Sequence, residues 1–201
     1  MKLKNLALGA LVLATPFSVH ANVTDAIMAD GFGMKLAYPA VHTGNAASEN
    51  AINKDIRHYA REMQDVYEGG KDEVYMTYSV KYESEDIVSI VLETAVTDRQ
   101  MANPDAKAYG LVYNKKTGDL INRSDFGLKV DNKEIVKDLK EGKLDLYDMD
   151  GKKLAYDPSF VPAGEQTEYF LNGKQEIALL YQPGELAPYA DGATYVTFKM
   201  K

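Results

Sequence analysis

Apolar positions along this chain fall into two spacings, and the change between them marks the elements. From residue 46 the sequence repeats at helical spacing: Ile52, Ile56, Tyr59, Ala60, Met63, Val66 and Tyr67 form one stripe, as on a helix with one buried face. Asn45 stands as the N-cap and Gly69-Gly70 as the stop. About 22 residues at 1.5 Å each give a helix of ~33 Å, long enough to cross a sheet. Before it, Asp30-Gly31 and Gly33 punctuate an extended segment through Met34, Leu36 and Tyr38 that Pro39 is expected to end.

Past the glycines the period becomes two. Val74, Met76, Tyr78, Val80 and Tyr82 alternate with polar residues, which predicts a half-buried strand with Tyr78 and Tyr82 on the core face and Tyr75 exposed. After a polar turn at Glu83 to Asp86, Val88, Ile90, Leu92 and Val96 face one way and Ser89, Val91, Glu93 and Ala95 the other. A longer loop, Thr97 to Ala106, leads to a strand with Tyr109, Leu111 and Tyr113. Asn114 to Gly118 then make a tight turn into Leu120-Ile121. A second, shorter helix opens at Asp131, with Glu134 completing a capping-box-like signature, Ile135, Val136 and Leu139 inward and Gly142 at its end. A turn-rich stretch follows Gly142, through Asp148-Met-Asp-Gly151 and Asp157-Pro158 to Pro162 and Gly164. Two strands then flank an expected type I′ turn at Asn172-Gly173, and a crossover from Pro183 to Gly192 leads to a last strand with Tyr195, Val196 and Phe198. Hairpin connections between strands predict an α+β fold, an antiparallel meander covered by one long and one shorter helix, with one sheet or two left open.

Residues 1–21 read as an export signal. Lys2 and Lys4 precede the apolar run Leu6 to Leu13, Pro16 breaks it, and Val19-His20-Ala21 offers a cleavage site. The run is too short to span a membrane, so the expectation is a protein of the periplasm or medium with no transmembrane helix after cleavage. The fold is then expected in residues 22–201, as a single domain with halves at about 30–115 and 116–200. The chain of 201 residues has 23 basic and 30 acidic side chains and a net charge of −7. Losing residues 1–21 removes two lysines and no acid, leaving 180 residues at −9. This balance speaks against nucleic acid as a partner.

The absence of cysteine removes disulfides, thiolate metal sites and thiol nucleophiles from consideration. Beyond residue 21 the only histidines are His42 and His58, at no metal-binding spacing. Asp148-Met-Asp-Gly151 imitates part of a calcium loop with Asp157 at the closing position, but Leu146 stands where the first ligand belongs. No cofactor or metal is therefore expected. The 14 tyrosines against 6 phenylalanines fit strand packing first and a binding surface second.

Several segments in order resemble one family. Leu36-Ala-Tyr-Pro39, Asn50-Ala-Ile-Asn-Lys54, Tyr78-Ser-Val-Lys-Tyr82 and Ile87-Val-Ser-Ile90 match its first half. Tyr113-Asn-Lys-Lys-Thr-Gly-Asp-Leu120, Glu168-Tyr-Phe-Leu171 and Tyr181 through Gly192 match its second. The chain is similar to the extracytoplasmic domain family shared by the anti-sigma factor RsiV and the peptidoglycan deacetylase PdaC. The resemblance implies a binding or sensing domain outside the membrane; in RsiV the region is the receptor for lysozyme, and in PdaC it accompanies a separate catalytic domain. RsiV's signalling route is not implied, because no sigma-binding segment or transmembrane helix is read here. Nor is deacetylation, because the histidines it needs are absent. Asn103 to Tyr109 replaces a Gly-Gly-Ala-His element of many relatives.

The expectation is thus an exported, non-catalytic binding or sensing module of the cell envelope, with a lysozyme-like hydrolase or peptidoglycan as partner. A carbohydrate-active enzyme using a carboxylate pair and a structural envelope component are the alternatives. The long loop from Thr97 to Ala108 is the expected contact region, with Asp98, Arg99, Asp105 and Tyr109 as ligand-binding candidates and no catalytic residue.

Overall fold

The computed structural model describes residues 22–98, 100, 102–164 and 167–200; the expected export signal and Arg99 lie outside these. The fold is α+β, with two helices and two five-stranded sheets. The first sheet runs in the order β1 (Val23–Gly31), β2 (Met34–Val41), β3 (Glu73–Glu83), β4 (Ile87–Thr97), β5 (Asp105–Asn114). Its neighbours are antiparallel except β2 and β3, which are parallel. The exception follows from connectivity: α1 (Ala46–Glu68) joins those two strands, and a helical crossover returns the chain in the same direction.

α1 starts where Asn45 accepts a hydrogen bond from the Ala47 amide at 3.0 Å. Ile52, Ile56, Ala60 and Met63 are buried, packed against Leu36, Val74, Met76, Ile90, Leu92 and Leu111 of the sheet. The stripe read from sequence is the stripe that packs.

Two expectations for this half are corrected. β1 forms a hairpin with β2 that the sequence did not announce, because Thr24, Asp25 and Asp30 obscure its alternation. β2 also runs through Pro39 to Val41. β2 pairs with β3 only from Met34 to Leu36, so Pro39 lies beyond that ladder and removes no bond from it. Further along, a bulge between Val80 and Tyr82 turns Tyr82 away from the α1 side to the second core, while Tyr78 stays with the first. Tyr75 is exposed.

The second sheet has the order β7 (Lys153–Leu154), β6 (Leu146–Asp148), β10 (Thr194–Lys199), β9 (Glu176–Tyr181), β8 (Tyr169–Gly173) and is antiparallel throughout. α2 (Asn132–Lys140) covers one face through Ile135, Val136 and Leu139, and Asp131 caps it by accepting from the Lys133 amide at 2.9 Å. The β6–β7 hairpin lies inside the stretch read as turns; three residues opposite two are too few to show a period. The β8–β9 turn also moves. A register shift between Leu171 and Gly173 pairs Gly173 with Glu176, so Lys174-Gln175 reverse the chain and not Asn172-Gly173.

The other face of the second sheet packs on the first. Val91 and Ala108 meet Phe170, Ala178, Leu180 and Tyr195 in a third core cluster, so β4 is buried on both faces. β8 passes over β3, β4 and β5. Its Leu171 amide donates to the buried Ser89 hydroxyl at 2.8 Å, and its backbone occupies the space over Gly110. A Cβ there would lie 1.9 Å from the Tyr169 carbonyl oxygen. The outer edge of β5 is closed by side chains from later in the chain. The Ala106 amide donates to the Tyr189 hydroxyl at 3.1 Å, the Ala108 amide to the Gln182 side-chain carbonyl at 2.8 Å and the Gly110 amide to Glu168 at 2.8 Å.

Gly110→Ala is therefore expected to destabilise the fold by about 3 kcal/mol or more, since a backbone atom must move to admit the methyl group. Ser89→Ala, which strands the Leu171 amide, is expected to cost about 1–3 kcal/mol. Urea unfolding of both variants beside the parent chain measures this.

Candidate functional site

The residues expected to bind ligand are spread along one strand and its loop. Asp98 is paired with Lys71 at 2.7 Å, and the lysine, with the Gln100 amide, holds its carboxyl below the usual range. Asp105 opens β5, exposed, 3.7 Å from Lys107. Tyr109 turns to the α1 side, where its ring lies 5.0 Å from that of Tyr59. No hydrogen bond or ion pair joins these three.

Tyr59 belongs to a neighbouring set in which the Tyr113 hydroxyl donates to Asp55 at 2.7 Å. Burial, then Asp55 and Glu168, push the Tyr59 phenol up to about 12. Tyr113 is itself buried, so this set anchors α1 to the sheet. The calcium-like run is a closed turn: the Asp148 carboxylate accepts from the amides of Asp150 at 3.1 Å and Lys152 at 2.8 Å. His58 is exposed beside Glu62, and His42 bonds Thr24. Among the described residues no group of three or more His, Asp or Glu is placed to hold a metal ion.

The arrangement with the most chemistry lies where the two sheets cross. Lys81 and Glu93 are charged residues on the inner face of the first sheet, half-buried under the β6–β7 hairpin. The Lys81 ammonium donates to the Met149 carbonyl at 2.6 Å and stands 5.8 Å above the Phe170 ring. Phe170 meets Tyr195 edge-on at 5.1 Å, and Tyr195 stacks on Tyr147 at 5.4 Å. This row leads from the crossing point to an open depression of about 400 Å³ lined by Tyr147, Gly151, Asn172, Glu176, Tyr195 and Thr197. Nearby, the Ser79 hydroxyl is buried without a partner.

Burial raises the Glu93 carboxyl; Lys81 opposes the shift and Asp150 adds to it. Burial likewise lowers Lys81, against the pull of Glu93, Asp150 and Asp148. The corner thus holds two opposite charges that each make the other tolerable. The sequence carried one signal for it, a single carboxylate, Glu93, inside the apolar run from Ile87 to Val96. Tyr147 and Tyr195 carried none, because strand tyrosines look alike whether they line a core or a surface.

No protein-family model and no curated protein matches the chain. Solved structures do. A DUF3298 family protein from Pseudomonas aeruginosa PAO1, 13% identical, aligns over 89% of this chain and 87% of that one with a TM-score of 0.56. A DUF3298 family member from Bacteroides fragilis NCTC 9343, 12% identical, aligns over 88% of each with a TM-score of 0.47. At such identity the likeness speaks for the fold. The chain has the fold of the DUF3298 domain, the RsiV- and PdaC-like domain that its segments resemble.

Because the Glu93 carboxyl is raised in the folded state, what it adds to stability is present below the ordinary carboxylate range and is lost as pH rises through its folded value. Glu93→Gln is expected to remove that loss, giving a smaller decline in Tm from about pH 4 to pH 7. Lys81→Met is expected to raise the Glu93 midpoint further. Thermal melts across pH and a carboxyl titration by NMR read the two effects.

Proposed function

We propose that this protein is an exported, non-catalytic binding module of the bacterial cell envelope, holding a macromolecular partner on an open surface. The observation that carries the reading is the aromatic row at the sheet crossing, which ends in a solvent-open depression instead of a closed pocket. Stiff rings with polar tips are the side chains that binding surfaces favour. The resemblance to extracytoplasmic binding domains supports it, as does the signal-like start.

Charge favours a cationic protein partner. A net −7, or −9 after loss of residues 1–21, draws basic proteins in at low ionic strength, and a lysozyme-like hydrolase has that character. Peptidoglycan is the second partner, favoured by the hydroxyls and amide of the depression. The enzymatic alternative needs a carboxylate pair across a cleft. Glu93 and Glu168 are both raised by burial, but the first faces Lys81 and the second accepts from the Gly110 amide, which suits holding the fold more than moving protons.

Calorimetric titration of the purified protein with lysozyme, at low and at moderate salt, is the test. Binding heat that weakens with salt, with slower lysis of cell walls by lysozyme, is expected. Absence of both heat and inhibition would remove the lysozyme partner, and release of sugar products from peptidoglycan by the protein alone would overturn the non-catalytic reading.

A further inference from the structure

We propose that the depression beside the β6–β7 hairpin is a subsite for one pyranose ring of a neutral glycan, held on the face of Tyr147 and by the Tyr195 hydroxyl. The inference rests on the reading of the chain as a binding module and names the ligand class of that site.

Tyr147 and Tyr195 are direct partners across β6 and β10, which is why their rings stack. Tyr195 is only 5% exposed, its ring enclosed between Tyr147 and Phe170. Its hydroxyl has no hydrogen-bond partner among the described residues, although it lines the depression. The ring is buried while the oxygen opens onto the depression, where water or a ligand hydroxyl can meet it. Burial, then Glu176, push that phenol up to about 12, so it keeps its proton at neutral pH and can both donate and accept.

Two more groups are positioned beside it. The Asn172 amide donates to one Glu176 oxygen at 2.6 Å, which fixes the carboxylate and leaves its other oxygen open, and the Thr197 hydroxyl makes no bond to the described residues. Gly151 keeps the mouth clear: a Cβ there would come 3.7 Å from the Tyr195 oxygen, and its φ of +82° suits glycine.

A pyranose has one face of C–H bonds and a rim of hydroxyls. Its C–H face packs on an aromatic ring, and its hydroxyls pair with donors and acceptors in turn. The lining supplies that set within a volume of about 400 Å³, inside the range of small-ligand sites. A cationic side chain fits less well. Lys174 and Lys199 flank Glu176, and Lys153 neutralises Asp145 at 2.6 Å, so the rim has little net pull on a cation.

The test adds chitotetraose to the purified protein and follows amide shifts by NMR, with Tyr195→Phe and Tyr147→Ala beside the parent. Tyr195→Phe keeps the ring and its packing, and unchanged thermal melting verifies that it folds. Saturable shifts at Gly151, Asn172, Glu176 and Thr197 in the millimolar range are expected, with affinity about tenfold weaker in each variant. No shift at these amides, or equal affinity in Tyr195→Phe, overturns the subsite. If N-acetylarginine amide moves these amides and the sugar does not, the occupant is a cation and the glycan assignment is wrong. The binding-module reading is judged separately by the lysozyme titration, and sugar shifts without lysozyme heat would leave the subsite standing with glycan as the partner.

Discussion

Main chain packs against main chain at Gly110, and the arrangement of both sheets follows from it. With the Tyr169 carbonyl where any side chain at this position would project, β8 can lie directly on β5 while Phe170 drops between the sheets and Tyr169 and Leu171 turn to the α2 side. Ala106 and Ala108 continue the low profile along β5. The second sheet therefore meets only part of the first. Each inner face is divided into a covered stretch, apolar and tight, and an open one where polar groups survive.

That division accounts for Lys81 and Glu93. Neither sits in the core clusters, and neither is fully in water; both stand at the boundary, under a hairpin whose Met149 carbonyl accepts a hydrogen bond from the ammonium. Removing one charge would leave the other half-buried and opposed, a more expensive state than the pair. On the far side of the same boundary the Tyr147–Tyr195 stack emerges, so one crossing produces both two half-buried opposite charges and an aromatic surface.

The helices and the long strands were legible because their periods persist. Seven stripe positions on α1 and four alternating positions on β3, Val74 to Val80, admit one reading each, and the caps at Asn45 and Asp131 agree with them. The β1–β2 hairpin and the β6–β7 hairpin were not, since charged residues interrupt the first and the second is too short to have a period. The site was less legible than the fold. Tyr147 and Tyr195 become a surface only because sheets of residues 23–114 and 146–199 cross, and nothing local encodes the crossing except Gly110 within an Ala/Gly stretch. Tyr109, named as a ligand-binding candidate from its place after a long loop, turns to α1 because the alternation of β5 puts it there.

The closure of the β5 edge by Tyr189, Gln182 and Glu168 has a consequence for how the chain acquires its structure. All five strands of the first sheet precede residue 115; Leu120 and Ile121 cover the end of its last edge at once, while the groups that occupy the edge from Ala106 to Gly110 come more than fifty residues later. Until they arrive, a row of strand amides stands open to any other strand, including that of a second unfinished chain. Sequestering that edge and completing the second sheet are one event of high contact order. The interval before it is when self-association competes with folding, and the carboxylate, amide and phenol that end it serve as late locks on a sheet formed early.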